Sequence, residues 1–525
     1  MLGRRFVCAV VAALAFTGAA PATHAETVLK VALHSDLKIV DPIWTTALIT
    51  THHGNMIYDT LFSVDEKLAV KPQMVDKWDV SADKLTWTFT LRDGLEWHDG
   101  QPVTAEDCVA SLKRWAAKDS MGQKLMGEVT SLTAPDAKTI KMVLKEPYGL
   151  VLDSLGKASA NIAFMMPKRV AETDPNTQIT DFTGSGPFIF KKDEWKPGEK
   201  AVYVKNTKYK PRNEPPSGLA GGKVVKIDRV EWITIPDQQT QVNALLNGEI
   251  DLIEITPPDL LPLLQKDKNI SIQVVNPAGR QYEMRFNVLT KPFDNAKIRE
   301  AALYAIDQKP FLEANVGDAK YYTLCKSVFP CGSPLETTKG WDDKLSGNIA
   351  KAKELLKEAG YDGTPVVMMH QTDIAGHNQL ATVAKPQLEA AGFKVDLQAM
   401  DWQTLVARRA KKDPADKGGW SVFFTSWGSP DVMNPVSAAF INASCDKAAF
   451  GWPCDPEIEK LRDAYAKETD PAKQKAIAEQ VSLRLSSGYP TFVPLGQFTT
   501  PTAIRTNVTG ILQVPELALW NVEKK

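Results

Sequence analysis

The sequence predicts an α/β protein of at least two lobes, and three observations support this class. The chain has 525 residues, more than one ordinary hydrophobic core holds. Apolar residues make up 43% and charged residues 24%, which is typical of soluble globular domains. Strand-like and helix-like segments alternate without a regular repeat. The chain is therefore expected to be globular, with mixed helices and strands.

Short strands and a capped helix are predicted in the first half. Residues 27–33, 87–91 and 140–144 alternate in side-chain character as strands do. Thr104 followed by Asp107 predicts a helix start that resembles a capping box. Strand, turn and helix therefore follow each other closely in this half.

The second half contains a βαβ unit. Its predicted elements are, in order, helix 349–359, strand 366–370, helix 379–391 and strand 393–400. Because a helix connects the two strands, they are expected to be parallel. Helices over 457–467 and 471–486 follow.

The first 25 residues have the parts of a secretory signal peptide. Arg4 and Arg5 give a positive start, residues 6–20 are apolar, and a small-residue pattern ends at Ala25. The apolar run is shorter than the roughly 20 residues that span a bilayer, so cleavage is favoured over a transmembrane anchor. We expect a signal peptide over 1–25 and a periplasmic mature protein.

The charge balance argues against nucleic acid as a partner. The net charge is −1, and loss of Arg4 and Arg5 with the signal peptide lowers it from −1 to −3. Nucleic-acid binding requires a basic excess or a clustered basic stripe. We expect neither nucleic acid nor anionic lipid to bind.

Four cysteines form two pairs that lie close in sequence. Cys325 lies near Cys331, and Cys445 lies near Cys454. An exported protein meets an oxidising compartment, so two short-loop disulfides are predicted. Neither spacing is the CxxC of redox enzymes or zinc sites. Cys108 falls in the first turns of a predicted helix and is expected to be a small buried thiol.

Three groups of motifs carry a family resemblance. They are Tyr58–Phe62 with Leu91–Asp107, then Gly184–Phe188, and finally Arg285–Asn287 with Pro292-Phe293, Ile298–Ala301 and Ala305–Asp307. In this order they resemble the family 5 extracellular solute-binding proteins of peptide, nickel and related ABC importers. The turn at 184–188 is open to two interpretations, a place where a ligand approaches the backbone closely or a tight turn without ligand contact.

The resemblance implies a two-lobed periplasmic binding protein fold of type II, in the large peptide-binding-like subclass with an extra subdomain in the first lobe. Lobe I would take residues 26–283 and 498–525, with the subdomain inserted at about 58–182. Lobe II would take 284–497. Two such lobes close around a ligand by a hinge motion.

The function that the resemblance implies is solute capture for an ABC importer. A periplasmic, monomeric subunit would bind a peptide or similar polar solute and deliver it to the permease subunits in the inner membrane. No cofactor, metal or catalytic residue is implied. Opines, glutathione, sugars and metal complexes remain open as alternative ligands. A periplasmic hydrolase is a further alternative, although the sequence contains no GxSxG, HExxH, GxxxxGK[ST] or GxGxxG motif.

A predicted helix places two candidate ligand-binding residues on one face. Trp402 and Arg409 are seven positions apart, which is two helical turns, whereas Arg408 points about a third of a turn away. In oligopeptide-binding relatives, similar positions carry a pocket tryptophan and an arginine that meets the peptide carboxylate. The alternative is a core tryptophan beside a solvated arginine.

Ser426 and Trp427 end an apolar predicted strand, and ligands favour the carboxyl ends of strands in open α/β sheets. Peptide-binding relatives have a similar tryptophan followed three residues later by an aspartate that holds the ligand's ammonium group. Pro430 stands at that place here. The aspartate is displaced to Asp431, which is therefore a candidate whose side chain is expected to point elsewhere unless the loop differs.

Three further candidates come from the resemblance. His377 aligns roughly with a peptide-contacting histidine of relatives, and a polar role is expected for it and for His370 because no metal-ligand spacing is present. Gly186 lies in the glycine-containing turn beside the expected cleft. Trp44 is expected to reach the cleft from the first lobe.

Overall fold

The structure is a computed structural model that describes residues 26–374 and 376–525. The predicted signal peptide at 1–25 lies outside these described residues. Within them, none of the helices combines the length and the apolar character needed to cross a membrane.

The strands belong to three main sheets and two short hairpin-like pairs. In chain order they are Val28–Ala32 (β1), Phe62–Val64 (β2), Val70–Pro72 (β3), Val75–Val80 (β4), Thr86–Leu91 (β5), Val129–Thr133 (β6), Thr139–Leu144 (β7), Phe188–Phe190 (β8), Lys200–Lys205 (β9), Arg229–Ile233 (β10), Leu252–Ile253 (β11), Ile270–Val274 (β12), Arg280–Phe286 (β13), Tyr322–Thr323 (β14), Val366–Gln371 (β15), Val395–Met400 (β16), Val422–Gly428 (β17), Phe492–Phe498 (β18), Pro501–Arg505 (β19), Val508–Thr509 (β20) and Glu523–Lys524 (β21).

The α-helices alternate with these strands along the described chain. In chain order they are Leu48–Ile57 (α1), Ala105–Ala116 (α2), Ser120–Glu128 (α3), Val151–Leu155 (α4), Lys168–Ala171 (α5), Gln238–Asn247 (α6), Leu261–Leu264 (α7), Ala296–Ala305 (α8), Gln308–Asn315 (α9), Ile349–Glu358 (α10), Leu380–Ala391 (α11), Trp402–Arg408 (α12), Pro456–Lys467 (α13) and Pro471–Leu483 (α14).

Two large mixed sheets form the body of the protein. The first has the order β12-β19-β11-β1-β10-β9-β8, and β1 runs parallel to both of its neighbours. The second has the order β14-β18-β13-β17-β15-β16, and β15 runs parallel to both β16 and β17. The chain passes between the two sheets twice, from β12 to β13 and from β18 to β19. The connecting segments between the two sheets are residues 275–279 and 499–500. The predicted lobe boundaries after 283 and 497 remain predictions.

A third sheet, antiparallel with the order β4-β5-β7-β6, spans residues 75–144. Its apolar core is continuous with the core of the second large sheet. Polar contacts join the same parts, since the N–H of Gly149 donates to the carbonyl of Ala466 and Lys124 pairs with Glu459 at 3.0 Å. This sheet therefore packs against the second half of the chain. The assignment of the 58–182 subdomain to the first lobe, which the resemblance implies, remains a prediction.

The elements that local sequence patterns predict lie within a few residues of their observed positions. Thr104 and Asp107 form a capping box at the start of α2, as predicted, and the predicted parallel pair is β15 with β16. Several bounds differ by one residue, and two differ by more. The last strand of the βαβ unit starts at Val395 instead of 393, and the helix predicted to 486 ends as an α-helix at Leu483, where it widens into a π-helical turn.

Both predicted disulfides are present in the structure. Cys325 is bonded to Cys331, and Cys445 is bonded to Cys454. Cys108 is a free buried thiol, and burial raises its pKa above the usual range. A thiol with so little thiolate is unreactive, which agrees with a packing role.

Candidate functional site

A cavity of about 820 Å³, including its opening to solvent, lies where segments attached to the two large sheets meet. Its wall includes the start of α1, the first residue of β13, the end of β17 and the helix α12. The lining side chains are those of His34, Thr46, Ala47, Leu48, Ile49, Thr51, Ala160, Ile255, Arg280, Ile374, His377, Trp402, Arg409, Thr425, Ser426, Trp427, Asp431 and Glu516.

The structure brings six of the eight predicted ligand-binding residues together in this cavity. These are His377, Trp402, Arg409, Ser426, Trp427 and Asp431. They lie on segments of the second half of the chain, whereas the opposite wall at 46–51 comes from the first half. The candidate site is therefore a single place between parts of the chain that are distant in sequence.

Gly186 and Trp44 are not part of the cavity wall. Gly186 packs against the end of α1, where a Cβ would lie 2.6 Å from the carbonyl carbon of Ile57. The glycine is thus required by a close backbone approach. The Trp44 side chain is 38% exposed and lies near the ammonium group of Lys118. The nearest wall residue in sequence is Thr46, two positions further along the chain.

Helix α12 positions Arg409 and Trp402 as its register predicts. Asp401 caps the helix by accepting the N–H of Thr404 at 3.0 Å. The guanidinium carbon of Arg409 lies 5.7 Å from the centre of the Trp402 ring. Arg408 points away and donates to the carbonyl of Gly419. The helical face therefore presents one cation and one aromatic wall to the cavity.

Arg409 is a buried cation without an acidic partner among the described residues. Its guanidinium lies 5.8 Å from the ring of Phe423 and 5.0 Å from that of Phe450. Its Nε atom is buried and has no hydrogen-bond partner in the described chain. Burial lowers the pKa of Arg409 to about 10, and Glu283 acts in the opposite direction. The side chain still carries its charge at neutral pH and is available to an anionic group.

Trp427 is held from behind by a buried carboxyl group. Its Nε1 donates to Oε1 of Glu283 at 2.8 Å. Burial raises the pKa of Glu283 to about 7, while the charge of Arg285, the bond from Trp427 and the charge of Arg409 act against that rise. The orientation of the Trp427 ring in the cavity wall is thereby fixed.

Ser426 connects two polar residues of the wall. Its hydroxyl oxygen accepts from Nε of Arg280 at 3.1 Å and lies 2.9 Å from Nε2 of His377. Its carbonyl oxygen accepts from the terminal nitrogen of Arg280 at 3.3 Å. Arg280 is therefore held in a fixed position by the end of β17.

Asp431 reaches the cavity because the backbone turns after β17 and does not continue as an extended strand. Ser429–Val432 form a short 3₁₀ turn, which brings Asp431 back to the wall. Its Oδ1 accepts the N–H of Ala160 at 2.9 Å. Burial raises the pKa of Asp431, with Lys157 as the main opposing charge. The displaced aspartate thus joins a segment of the first half of the chain to the end of β17.

Glu516 is a second buried carboxyl group in the wall, and the sequence analysis missed it. Burial raises its pKa well above the usual range; the charge of Arg280 opposes this and that of Asp431 adds to it. A Cβ placed on Gly428 would lie 3.3 Å from Oδ2 of Asp431 and 3.3 Å from Oε1 of Glu516. The two carboxyl groups therefore flank Gly428. No local motif in the sequence marks Glu516, because only the fold brings it to Asp431.

A cluster of possible metal ligands borders the cavity. His34, His52 and Glu254 form a group whose potential ligand atoms all lie within 4.8 Å of one another, and no other such group of three was found among the described residues. These residues come from three distant segments, so no spacing in the sequence indicates the cluster. His370 and His377 belong to no such group of three among the described residues. Nε2 of His377 instead contacts the hydroxyl of Ser426.

Comparisons with known proteins agree with this architecture. Residues 69–449 match the family described as bacterial extracellular solute-binding proteins, family 5 Middle. The chain is 40% identical to a probable peptide ABC transporter periplasmic-binding protein of Sinorhizobium fredii, over 96% of this chain and 94% of the relative. It is 26% identical to a glutathione-binding protein of Escherichia coli K12, over 93% of this chain and 92% of the relative.

Solved structures share the fold. A periplasmic binding protein of A. tumefaciens R10 in complex with agropinic acid is 21% identical, with a TM-score of 0.79 over 95% of this chain and 99% of that one. A periplasmic binding protein of Helicobacter pylori in complex with the peptide STSA is 22% identical, with a TM-score of 0.78 over 95% and 98%. The type II periplasmic binding protein fold is confirmed, and so is the role of solute-binding subunit of an ABC importer. The chain belongs to family 5 of the bacterial extracellular solute-binding proteins.

Proposed function

We propose that this protein binds a short peptide, or another amino-acid-derived zwitterion, in the cavity and delivers it unchanged to an ABC permease. One observation carries the proposal. The same cavity is lined by a buried guanidinium without an acidic partner among the described residues, Arg409, and by two buried carboxyl groups, Asp431 and Glu516. A ligand with one negative and one positive group would satisfy both.

Arg409 would bind the carboxylate of the solute. A buried charge is costly unless it is paired, and a guanidinium matches a carboxylate with two parallel hydrogen bonds. The surrounding rings of Trp402, Phe423 and Phe450 exclude water from the guanidinium. An entering carboxylate would thus replace the lost hydration of Arg409.

Asp431 and Glu516 would bind the ammonium group. Their raised pKa values mean that burial favours the neutral forms, and a nearby positive charge favours the ionised forms. An ammonium group would therefore ionise this pair and release a proton on binding. The names of two relatives, one for peptides and one for glutathione, support a ligand that carries both kinds of group.

Export to the periplasm and absence of catalysis belong to the same proposal. The pattern ending at Ala25 supports cleavage there, and the relatives named here are binding proteins. The contact of Ser426 with His377 resembles a nucleophile–base pair. We propose that it orients the wall instead, because Arg280 donates to the same hydroxyl oxygen.

Native mass spectrometry of the protein exported by a bacterial host tests the proposal first. The mass should correspond to residues 26–525, and denaturation should release peptides or a related zwitterion. Titration calorimetry with trialanine, N-acetyl-trialanine and trialanine amide follows. Binding should be tightest for trialanine, and the peptide should be recovered intact. Equal affinity for all three, or release of hydrolysed product, would refute the proposal.

A further inference from the structure

We propose that His34, His52 and Glu254 form a binding site for a first-row transition-metal dication such as Zn²⁺, Ni²⁺ or Cu²⁺ on the wall of the solute cavity. This inference goes beyond solute capture and does not depend on which solute binds. It rests on the geometry, the donor types and the access of the cluster.

The three ligand atoms already lie close together. Nδ1 of His34 lies 2.7 Å from Oε2 of Glu254, and Nε2 of His52 lies 2.7 Å from Oε1. The two imidazole rings meet edge to face with their centres 5.9 Å apart. Zinc bonds to nitrogen and oxygen are about 2.0–2.2 Å long. Small side-chain rotations would therefore bring the three donors to one ion.

The backbone holds each ligand in place. Glu254 follows β11, where its N–H donates to the carbonyl of Ala32 and its own carbonyl accepts from the hydroxyl of Thr502. The backbone N–H of His34 donates to the Glu254 carboxylate at 3.0 Å. His52 lies in α1, and its side chain is 2% exposed. Only His52 lies within a regular element; His34 and Glu254 lie one or two residues beyond β1 and β11, where the backbone hydrogen bonds just described hold them.

The charge and the donor set favour a transition metal. Neither lysine nor arginine pairs with Glu254 among the residues that the structure describes. With two neutral imidazoles the cluster carries one negative charge, which attracts a dication. Two imidazole nitrogens and one carboxylate suit zinc, nickel and copper, whereas magnesium and calcium prefer all-oxygen ligands.

The cluster also has an open side. His34 lines the solute cavity, while His52 and Glu254 line a smaller adjoining pocket of about 400 Å³, including its opening to solvent. Both spaces share Arg280 and Glu516. Three protein ligands leave at least one coordination position free, as in open zinc sites. That position would be filled by water or by an amine or carboxylate of a bound solute.

The test uses the full mature protein after dialysis against a chelator. Titration calorimetry and native mass spectrometry with ZnCl₂ and NiCl₂ should give one ion per chain at micromolar or tighter affinity, with no binding of MgCl₂ at the same concentration. His52→Gln and Glu254→Gln should each weaken binding at least about 100-fold, since loss of even an outer-shell partner costs 10–100-fold. His370→Gln, which alters a histidine outside the cavity, should change nothing.

Two results would overturn the inference. If the wild-type protein binds neither ion stoichiometrically, the cluster is only a hydrogen-bonded brace between α1 and the sheet. If His370→Gln weakens binding as much as His52→Gln does, the ion lies elsewhere. If a variant fails to fold, the visible spectrum of cobalt(II) bound to the wild-type protein tests the inference. Intense bands, which indicate four or five ligands, would support it. Weak bands, which indicate a loosely held hydrated ion, would contradict it. Trialanine binding is measured on the metal-free protein as well. If trialanine binds although no metal does, only the metal site is refuted and the proposed function stands.

Discussion

The basic and the acidic parts of the cavity are built in different ways. Arg409 is surrounded by three aromatic rings and pairs with no carboxylate among the described residues. Asp431 and Glu516 instead lie near Arg280, whose charge opposes the rise that burial causes in both of their pKa values. The basic part therefore carries a full charge that needs a partner, whereas burial shifts the acidic part toward its neutral forms. We expect the anionic group of the solute to contribute more affinity than its ammonium group.

Replacing Arg409 is the most direct way to break this comparison. Arg409→Met should weaken trialanine binding by about 30-fold to several thousand-fold, because truncating one partner of a buried charge pair costs about 2–5 kcal/mol. Trialanine amide, which lacks the carboxylate, should lose far less. Titration calorimetry of both peptides measures the two losses.

The matched control is Arg408→Met in the same helix. Arg408 donates to backbone carbonyls at Gly418 and Gly419 and does not line the cavity. Trialanine binding should be unchanged in this variant. An equal loss for trialanine and its amide in Arg409→Met would remove Arg409 from the carboxylate site.

Glu283 tests how far the charge of Arg409 is compensated, because it is the acidic group whose charge acts on the pKa of Arg409. Its pKa is raised to about 7 when folded, against an ordinary value near 4.3. The folded state therefore holds the proton more tightly, so this group lowers stability as pH rises from about 4.5 to 7. In Glu283→Gln that loss should vanish, and the variant should gain about 2–3 kcal/mol relative to wild type between pH 5 and pH 8.

Urea unfolding of both proteins at the two pH values measures this difference. Glu300→Gln is a suitable control, because Glu300 is a less buried carboxyl group on α8 that is absent from the cavity wall. A variant that keeps the wild-type pH dependence would show that Glu283 is already ionised at pH 5. The charge on Arg409 would then be compensated more than we infer.

Glu516 tests the acidic part, where a smaller effect on affinity is expected. Glu516→Gln should weaken trialanine binding about 10-fold, near the lower end of values for hydrogen bonds to charged groups, and leave N-acetyl-trialanine unaffected. Binding of trialanine to wild type near pH 6 should release protons, because the ammonium group ionises the carboxyl pair. Calorimetry in buffers of different ionisation enthalpy counts them.

The variant should release fewer protons than wild type. Unchanged proton release would assign the ionisation to Asp431 alone. Equal weakening of the free and acetylated peptides would mean that Glu516 shapes the cavity without recognising the amine.

The contrast between the two parts also explains what the sequence could predict. Trp402 and Arg409 belong to one helix, so the 3.6-residue period was enough to place them on the same face. Asp431 lies in a short 3₁₀ turn and bonds to the backbone of Ala160, which is distant in sequence, so the direction of its side chain could not be read locally. Arg280 and Glu254 lie on or beside strands that pair with distant strands, and Glu516 lies in a C-terminal loop where the N–H of Val514 donates to the carbonyl of Val275. No periodic pattern encodes such contacts.

The fold shows the same division. The strands and helix of the βαβ unit, 366–400, were predicted because their pairing is local and their hydrophobic patterns are regular. The order of the two large sheets was not predicted, because β19 pairs with β11 and β12 across more than two hundred residues. The family resemblance supplied the two-lobed architecture that local patterns lacked.

Replacing Trp402 in the basic part of the cavity should have the smallest effect on affinity, and it separates the electrostatic contribution of the ring from its shape. Trp402 is half-buried and faces Arg409 at 5.7 Å, so Trp402→Leu removes the electrostatic attraction of the ring but keeps an apolar wall. A cation–π contact is worth about 0.5–1 kcal/mol where it is exposed. The Leu variant leaves the Arg409 guanidinium less stably positioned, and trialanine should bind about two- to five-fold more weakly, with little change for the amide. If both peptides weaken equally in calorimetry, the ring contacts the solute directly and does not act through Arg409.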